Sequence, residues 1–272
     1  MTRLAEYAEA RELTVNLILR ELRGRYKRSA LGWTWSLLNP LSTDMTFSIV
    51  YAFFLKIDPP VGHPSGLHNF AMFLLCGLLP FNYLSNAMNG SLDSLLSNSN
   101  LIRKVYFPRE VLVISTIGAL LVTMLVELSV LCVILLLFGN MILPWIPMLL
   151  VLVVIQSVFV LGIGLMLSVF NVYFRDVKHF IGISLQALFY SAPIVYPIKF
   201  VEDAATRTSF PLLRVYELNP LVRFVDAYRA VLYDLRFPAF SDIAYVTLWA
   251  VALLALGLFV FHRLDRRLAE EV

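Results

Sequence analysis

Residues 23–35 read RGRYKRSALGWTW, a cluster of basic side chains that runs directly into two tryptophans and then into an apolar segment. Arginine and lysine concentrate on the cytoplasmic side of membrane proteins, and tryptophan rings suit the headgroup layer. The basic residues are Arg23, Arg25, Lys27 and Arg28, and the tryptophans are Trp33 and Trp35. This stretch predicts that the chain enters a membrane from the cytoplasm.

Composition extends that prediction to the whole chain. Of its 272 residues 59% are hydrophobic and only 15% are charged, whereas about a quarter are charged in soluble domains. The apolar blocks are long enough for helices that cross a hydrocarbon core, which takes about 20 residues each. We therefore predict an all-α polytopic membrane protein. Cys76 and Cys132 lie inside apolar runs, where packing is expected, and no metal site or disulfide is predicted.

Hydrophobic periodicity divides the chain into elements. Residues 2–22 predict an amphipathic helix that lies in the membrane interface. Six spans follow, at about 40–56, 67–90, 110–138, 145–170, 180–198 and 241–261. The first is expected to begin at Asn39-Pro40, because asparagine caps helices and proline favours their first position. Pro193 and Pro197 should interrupt the fifth span near its far end. Residues 199–240 should form short gate helices on the outer side, with a second Asn-Pro helix start at Asn219-Pro220.

The distribution of charge predicts the orientation. The six-span plan makes residues 1–38 a cytoplasmic region, residues 39–262 the transmembrane domain and residues 263–272 a cytoplasmic tail. No signal peptide is expected. The four predicted cytoplasmic segments hold seven, three, two and three basic residues, which is 15 of the 22 in the chain. The positive-inside rule therefore places both termini in the cytoplasm.

Several polar residues fall inside predicted spans. Asn82, Asn86, Asn89 and Asp93 share one helical face, which either contacts a neighbouring helix or lines a channel. Asp44 is interpreted as a carboxylate near the start of its helix, with a transport role as the alternative. For Glu127 and Gln156, hydrogen bonding to another helix and direct substrate contact both stay open.

Five motifs in order resemble a known family. They are RYKRSALGWTWSLLNP (25–40), KVYFPRE (104–110), NVYFRDVKH (171–179), SAPIVYP (191–197) and LNPLVRFVDAYRAVL (218–232). Over residues 10–262 the chain resembles the transmembrane subunit of ABC-2-type exporters of cell-surface polysaccharides, the O-antigen, galactan and teichoic-acid group.

The resemblance implies a homodimer in a bacterial cytoplasmic membrane, with two copies of a separate ATPase subunit that binds ATP and Mg²⁺. The pore would carry a polyprenyl-pyrophosphate-linked glycan outward. The sequence contains no G-x-x-x-x-G-K-[ST] phosphate loop, in agreement with ATP hydrolysis in a partner. Neither covalent chemistry, nor a cofactor in this chain, nor a nucleic-acid partner is implied.

The same resemblance assigns two coupling elements, at about 24–32 and 98–107, that contact the ATPase. Their residues are Arg23, Arg25, Tyr26, Lys27, Arg28, Arg103 and Lys104. Within this set, Arg25, Arg28, Arg103 and Lys104 are candidates to attract the pyrophosphate at the inner mouth, since arginine binds phosphate with two parallel hydrogen bonds. The alternative is that these residues only obey the positive-inside rule and contact anionic lipid.

Two further residue sets follow for the pathway itself. The candidate channel and glycan contacts are Trp33, Trp35, Asn82, Asn86, Asn89, Tyr173, Phe174, Phe189, Tyr190 and Tyr196. The candidate outer gate consists of Pro193, Pro197, Pro220, Phe224 and Tyr228. The alternative for the aromatic residues is an ordinary interfacial belt.

Other functions were weighed against this one. A membrane enzyme would need metal ligands or acid pairs, and the sequence has neither H-E-x-x-H nor D-x-D. An ABC-2 exporter of a drug, peptide or simple lipid would share the six-span plan, and a passive channel or scramblase would need no ATPase.

Overall fold

The structure of the chain, a computed structural model, describes residues 3–25, 31–32, 34–55, 60–105, 107–206 and 216–271. At 3–10, 52–53, 55, 202–204 and 266–271 it describes the backbone alone. Tyr26, Lys27, Arg28 and Trp33 lie outside the described residues. Within the described ranges the fold is helical and contains no strand, as predicted.

Ten helices are used below. They are α1 (Arg3–Arg25), α2 (Thr34–Ile49), α3 (Phe70–Ser94), α4 (Ser99–Lys104), α5 (Glu110–Leu137), α6 (Ile146–Tyr173), α7 (Val177–Ser191), α8 (Lys199–Thr206), α9 (Pro220–Arg229) and α10 (Phe240–Glu271). A π-helical turn, Val50–Leu55, continues α2, and another, Ala230–Asp234, continues α9.

In the described ranges, four helical segments are long and apolar enough to cross a membrane. They are Phe70–Ser94, Glu110–Leu137, Leu143–Tyr173 and Phe240–Asp265. They match the second, third, fourth and sixth predicted spans. Helices α2 and α7, with 16 and 15 residues, occupy the places of the first and fifth but are shorter than the roughly 20 residues that a full crossing takes.

The start of α2 corrects one prediction. The helix begins at Thr34, so Pro40 lies inside it and Asn39 is not its cap. The helix continues through the proline, and Ser42 and Thr43 donate their hydroxyls to the Asn39 carbonyl, at 2.8 and 3.2 Å. Asp44 therefore lies well inside the helix, and its interpretation as a helix-start carboxylate is also wrong.

The end of α7 and the start of α9 follow the sequence closely. Ala192 is extended (φ −102°, ψ 148°), because a residue that precedes proline disfavours the helical region. The break in the fifth predicted span is thus confirmed. Asn219 caps α9 by accepting a hydrogen bond from the Leu221 amide, and Pro220 takes the first position, as predicted.

Close backbone contact fixes α6 against α10. A Cβ atom on Gly162 would collide with the backbone at Leu253 and Leu254, and one on Gly257 would collide with the Gly162 carbonyl. Small residues allow such packing in membranes, where van der Waals contact drives helix association. The pair provides a rigid support for α9, which packs against α3, α6 and α10.

Helix α1 packs beside α5. Leu17 and Leu22 are buried, whereas Val15 and Leu19 remain exposed. The side chain of Ile18 lies against Gly118 of α5. The amphipathic helix was therefore predicted correctly, but Leu17 on its buried side was missed.

Candidate functional site: the two ends of the helix bundle

One end of the bundle brings together three segments that are far apart in sequence. Arg109, just before α5, pairs with Asp265 of α10 at 2.9 Å, and the next residue, Glu110, lies 3.1 Å from His262. The Tyr173 hydroxyl donates to the Leu264 carbonyl at 3.2 Å. These contacts gather the segments that the charge count assigned to one side, and we call this region the basic end.

The basic end also joins the two predicted coupling elements. Arg20 Nη2, near the end of α1, donates to Asn98 Oδ1 at 2.5 Å, and Asn98 in turn donates to the Ser94 carbonyl of α3 at 2.9 Å. Asn98 directly precedes α4. Arg20 and Asn98 thus connect α1 with α4 and α3 through one buried amide, a contact that the sequence did not indicate.

Four of the predicted coupling residues lie within the described ranges. Arg23 and Arg25 are exposed in the last turn of α1, and Arg103 and Lys104 are exposed in the last turn of α4. Positive charge at a helix C-terminus is favourable because the helix dipole is negative there. The structure thus displays basic side chains on two helix ends of the same region.

Helix α3 separates its polar and apolar faces. Asn86 and Asn89 are exposed, and Asn82 is partly exposed. Asn89 donates to the Ser85 carbonyl of its own helix at 2.9 Å, while Asp93 pairs with Lys178 at 2.7 Å. Within the described part of the chain, these asparagines therefore form no hydrogen bond to another helix, whereas Asp93 on the same face does pair with α7.

The predicted aromatic contacts do not form one lining. Tyr173 and Phe174 lie at the basic end, and Trp35 is exposed near the start of α2. Phe189 of α7 instead contacts Phe81 and Phe47, with ring centroids 5.2 and 6.2 Å apart, so it joins α7 to α3 and α2. Tyr190 is exposed, and its carbonyl accepts a hydrogen bond from the Tyr196 hydroxyl at 2.7 Å.

At the opposite end, a hydrogen-bonded chain fixes α9. Gln156 of α6 donates to the Pro80 carbonyl of α3 and accepts from the Tyr228 hydroxyl, both at 2.8 Å. Gln156 and Tyr228 are buried. The Phe224 ring contacts the Phe159 ring edge to face, with centroids 5.3 Å apart. Gln156 is therefore bonded to neighbouring helices, as one of its two predicted interpretations required.

The residue after Tyr228 was missed by sequence reasoning. Arg229 is only 6% exposed and donates to the carbonyls of Pro193, Ile194 and Phe73. Its guanidinium also lies 3.6 Å from the centroid of the Phe73 ring. Burial lowers the pKa of Arg229 to about 10, so the side chain keeps its charge at neutral pH. The feature of the sequence that could have indicated this position is a basic residue inside the apolar stripe of α9.

A cleft of about 390 Å³ opens beside Arg229. Its charged lining includes Lys199, Asp226, Arg229 and Arg236, next to apolar side chains such as Ile198. The predicted gate residue Pro197 borders it together with Arg229. Pro193, Pro220, Phe224 and Tyr228 lie around the same end, so the structure does bring the predicted gate residues into one region.

Two acidic residues lie away from both ends. Glu127 of α5 borders a small space of about 20 Å³ beside Leu37 and Pro40 of α2. Asp44 is 6% exposed, and its Oδ1 atom has no hydrogen-bond partner among the described residues. The geometry gives neither carboxylate a defined substrate contact.

Helices long and apolar enough to cross a membrane define the class: an integral membrane protein. The sequence pattern of ABC-2 type transporters matches residues 12–233, and the chain belongs to that family. A Myxococcus xanthus O-antigen export system permease protein, RfbA, is 29% identical over 253 residues, which is 91% of this chain and 92% of the relative.

Two other relatives extend the comparison. The Klebsiella pneumoniae O-antigen export system permease protein RfbA is 29% identical over 263 residues, 95% of this chain and 94% of the relative. The Escherichia coli polysialic acid transport protein KpsM is 25% identical over 268 residues, 93% and 94% of the two chains. Over more than nine-tenths of its length the chain is thus similar to O-antigen export permeases and to a polysialic acid transport protein.

Proposed function

We propose that this chain is the permease subunit of an ATP-driven exporter that moves a polyprenyl-pyrophosphate-linked cell-surface polysaccharide across the cytoplasmic membrane. The observation that carries the proposal is the similarity over more than nine-tenths of both chains to proteins named O-antigen export permeases. The permease performs no covalent chemistry, and a separate ATPase subunit with ATP and Mg²⁺ supplies the energy.

The proposed assembly is a homodimer with two ATPase subunits, in which each permease has six spans and cytoplasmic termini. The basic end supports this orientation, because basic segments from both halves of the chain meet there. In that arrangement α2 with its π-helical turn and α7 with the segment after it take the places of the first and fifth spans.

Coupling is proposed to act through the ends of α1 and α4. Their exposed basic residues contact the ATPase, and closure of that subunit displaces both helices together because Arg20 and Asn98 connect them. Arg25, Arg103 and Lys104, together with Arg28, which lies outside the described residues, attract the pyrophosphate of the substrate at the same mouth.

The translocation path is proposed to run along the polar face of α3. Lipid cannot satisfy amide side chains, so exposed Asn86 and Asn89 face water or a second copy rather than acyl chains. Two copies related by a two-fold axis would place both polar faces around one channel, with the aromatic residues at its mouths contacting sugar rings.

Affinity purification of the tagged chain from its native membrane tests the proposal, with mass spectrometry of the proteins and lipids that copurify. We expect an ATPase with a phosphate-loop motif and a polyprenyl-pyrophosphate glycan. An ATPase without glycan would favour export of a drug or simple lipid. A folded preparation without an ATPase would contradict the proposed function.

A further inference from the structure

The segment between α7 and α8 exposes backbone acceptors that no helix satisfies. This gate segment, residues 192–198, contains Pro193 and Pro197. Since Pro197 has no amide hydrogen, the Pro193 carbonyl cannot form the usual bond to the residue four positions later. Buried carbonyls without a partner are costly, so another donor is required.

Arg229 supplies that donor in a shape that fits the gate segment. Its two terminal nitrogens donate to the neighbouring carbonyls of Pro193 and Ile194, the second at 2.6 Å. Its Nε atom donates to the Phe73 carbonyl of α3 at 3.3 Å. A planar guanidinium has donors spaced for this arrangement, whereas a lysine ammonium is a single point charge.

Glycine at position 77 of α3 lets the Arg229 side chain approach. A Cβ atom there would lie 3.2 Å from Arg229 Nη2. The gate segment is also packed into the apolar core through Ala192, Ile194 and Val195, and the Arg229 hydrogen bonds add a polar connection to that packing. One side chain of α9 thus ties the segment to α3.

We propose that Arg229 is a latch that holds the gate segment shut against α3, and that release of this side chain opens the adjoining cleft. Asp226 lies one helical turn earlier, borders the same cleft and forms no hydrogen bond with the described residues. It offers the released guanidinium an opposite charge at i−3. The latch depends on the proposed function in one respect: the name gate segment assumes that this segment opens during transport.

The experiment measures how fast a membrane-impermeant maleimide labels a cysteine from the outer side. Val195→Cys, at a buried position between the two prolines, reports on the gate segment in the full chain with its ATPase subunit. Val246→Cys, buried in α10, reports on general loosening. The background carries Cys132→Ala and keeps the fully buried Cys76.

Each reporter is combined with Arg229→Met, Arg229→Lys or the matched control Arg223→Met. Arg223 lies on the same helix but pairs with Asp242 at 2.7 Å and does not contact the gate segment. We expect Arg229→Met to raise labelling of Val195→Cys by on the order of tenfold, since charge-assisted hydrogen bonds are lost. Arg229→Lys should give a smaller rise, and Arg223→Met should change the rate less than about twofold.

Three results would overturn the latch: unchanged labelling of Val195→Cys in Arg229→Met, an equal rise at Val246→Cys, or an equal rise in Arg223→Met. Addition of ATP to the chain with intact Arg229 separates the two proposals. Faster labelling of Val195→Cys during ATP hydrolysis supports both the latch and the proposed function. A rise in Arg229→Met without any response to ATP supports the latch but contradicts the role of the segment as a transport gate.

Discussion

The two ends of the bundle are held together by different kinds of contact. At the basic end, the Asp93–Lys178 ion pair has both side chains about half exposed, so water replaces each partner at little cost when that pair separates, although Glu110 at the same end is buried. At the gate end, Gln156, Tyr228 and Arg229 are buried and bonded to one another's helices or to backbone carbonyls. Breaking those bonds leaves polar groups unsatisfied.

This difference suggests how a signal would travel through the molecule. A basic end of weak, exchangeable contacts can follow the movement of a partner subunit with little resistance. A gate end with costly contacts stays closed until enough strain accumulates, because packed cores switch between discrete arrangements and do not deform continuously. The comparison predicts that substitutions at the gate end affect stability most and that substitutions at the basic end affect coupling.

The largest effect is expected for Gln156→Leu. The substitution removes the donor to the Pro80 carbonyl and the acceptor for the Tyr228 hydroxyl, and each buried group left unsatisfied costs about 1–3 kcal/mol. Thermal unfolding of the purified permease in detergent should show a clear decrease in midpoint. Ser157→Ala, which removes the neighbouring Tyr83–Ser157 bond at 3.1 Å, is the matched control. Equal decreases in both variants would contradict the special role of Gln156.

The next effect concerns coupling at the basic end. Reversing charge in Arg25→Glu with Lys104→Glu should lower glycan-stimulated ATPase activity of the reconstituted complex by on the order of tenfold, about 1.4 kcal/mol. Both residues are exposed, so the unfolding midpoint should fall only slightly, through the loss of favourable charge at two helix ends. Arg11→Glu, an exposed position earlier on α1, serves as the control. Normal glycan stimulation of ATPase activity in the double variant would mean that these residues serve only to orient the chain in the membrane.

A third prediction concerns the polar face of α3. Asn86→Trp and Asn89→Trp should each lower export several-fold if the face lines the channel, since a bulky ring narrows the path without disturbing the core, which lies on the opposite side of α3. Export is measured as glycan appearing at the cell surface. Ile183→Trp, at an exposed apolar position on α7, should have no effect. Normal export in both asparagine variants would assign the face to contact with the second copy.

Sequence reasoning was accurate where local rules decide the structure. The cap at Asn219, the break before Pro193 and the third and fourth spans follow from residue preferences and apolar length, and the structure agrees with each. It failed at Pro40, because α2 begins six residues earlier, at Thr34, and continues through the proline. A rule for helix starts does not detect a proline that lies inside a longer helix.

The candidate site was less predictable than the fold. The gate residues share one region, but Arg229, which makes the most polar contacts there, was not predicted. Its partners lie on α3 and in the gate segment, and the Pro193 contact is 36 residues away in sequence. Nor did periodicity reveal Asn98 as the connection between α1 and α4. Both residues bond to elements distant in sequence, and no motif encodes that pairing.

The smallest effect tests the comparison directly, by two double-mutant cycles measured in the same denaturation assay. The Asp93–Lys178 cycle, with Asp93→Asn and Lys178→Met, should give a coupling energy of about 0.2–1 kcal/mol, because both partners are well solvated. The Gln156–Tyr228 cycle, with Gln156→Leu and Tyr228→Phe, should give a larger value within the range of about 0.5–3 kcal/mol seen for bonded neighbours. Raising the salt concentration should weaken only the first coupling, since buried pairs are screened much less. Equal coupling energies at both ends would mean that burial does not make the contacts of the gate end harder to break. The comparison would then give no energetic basis for the gate end to open after the basic end has moved.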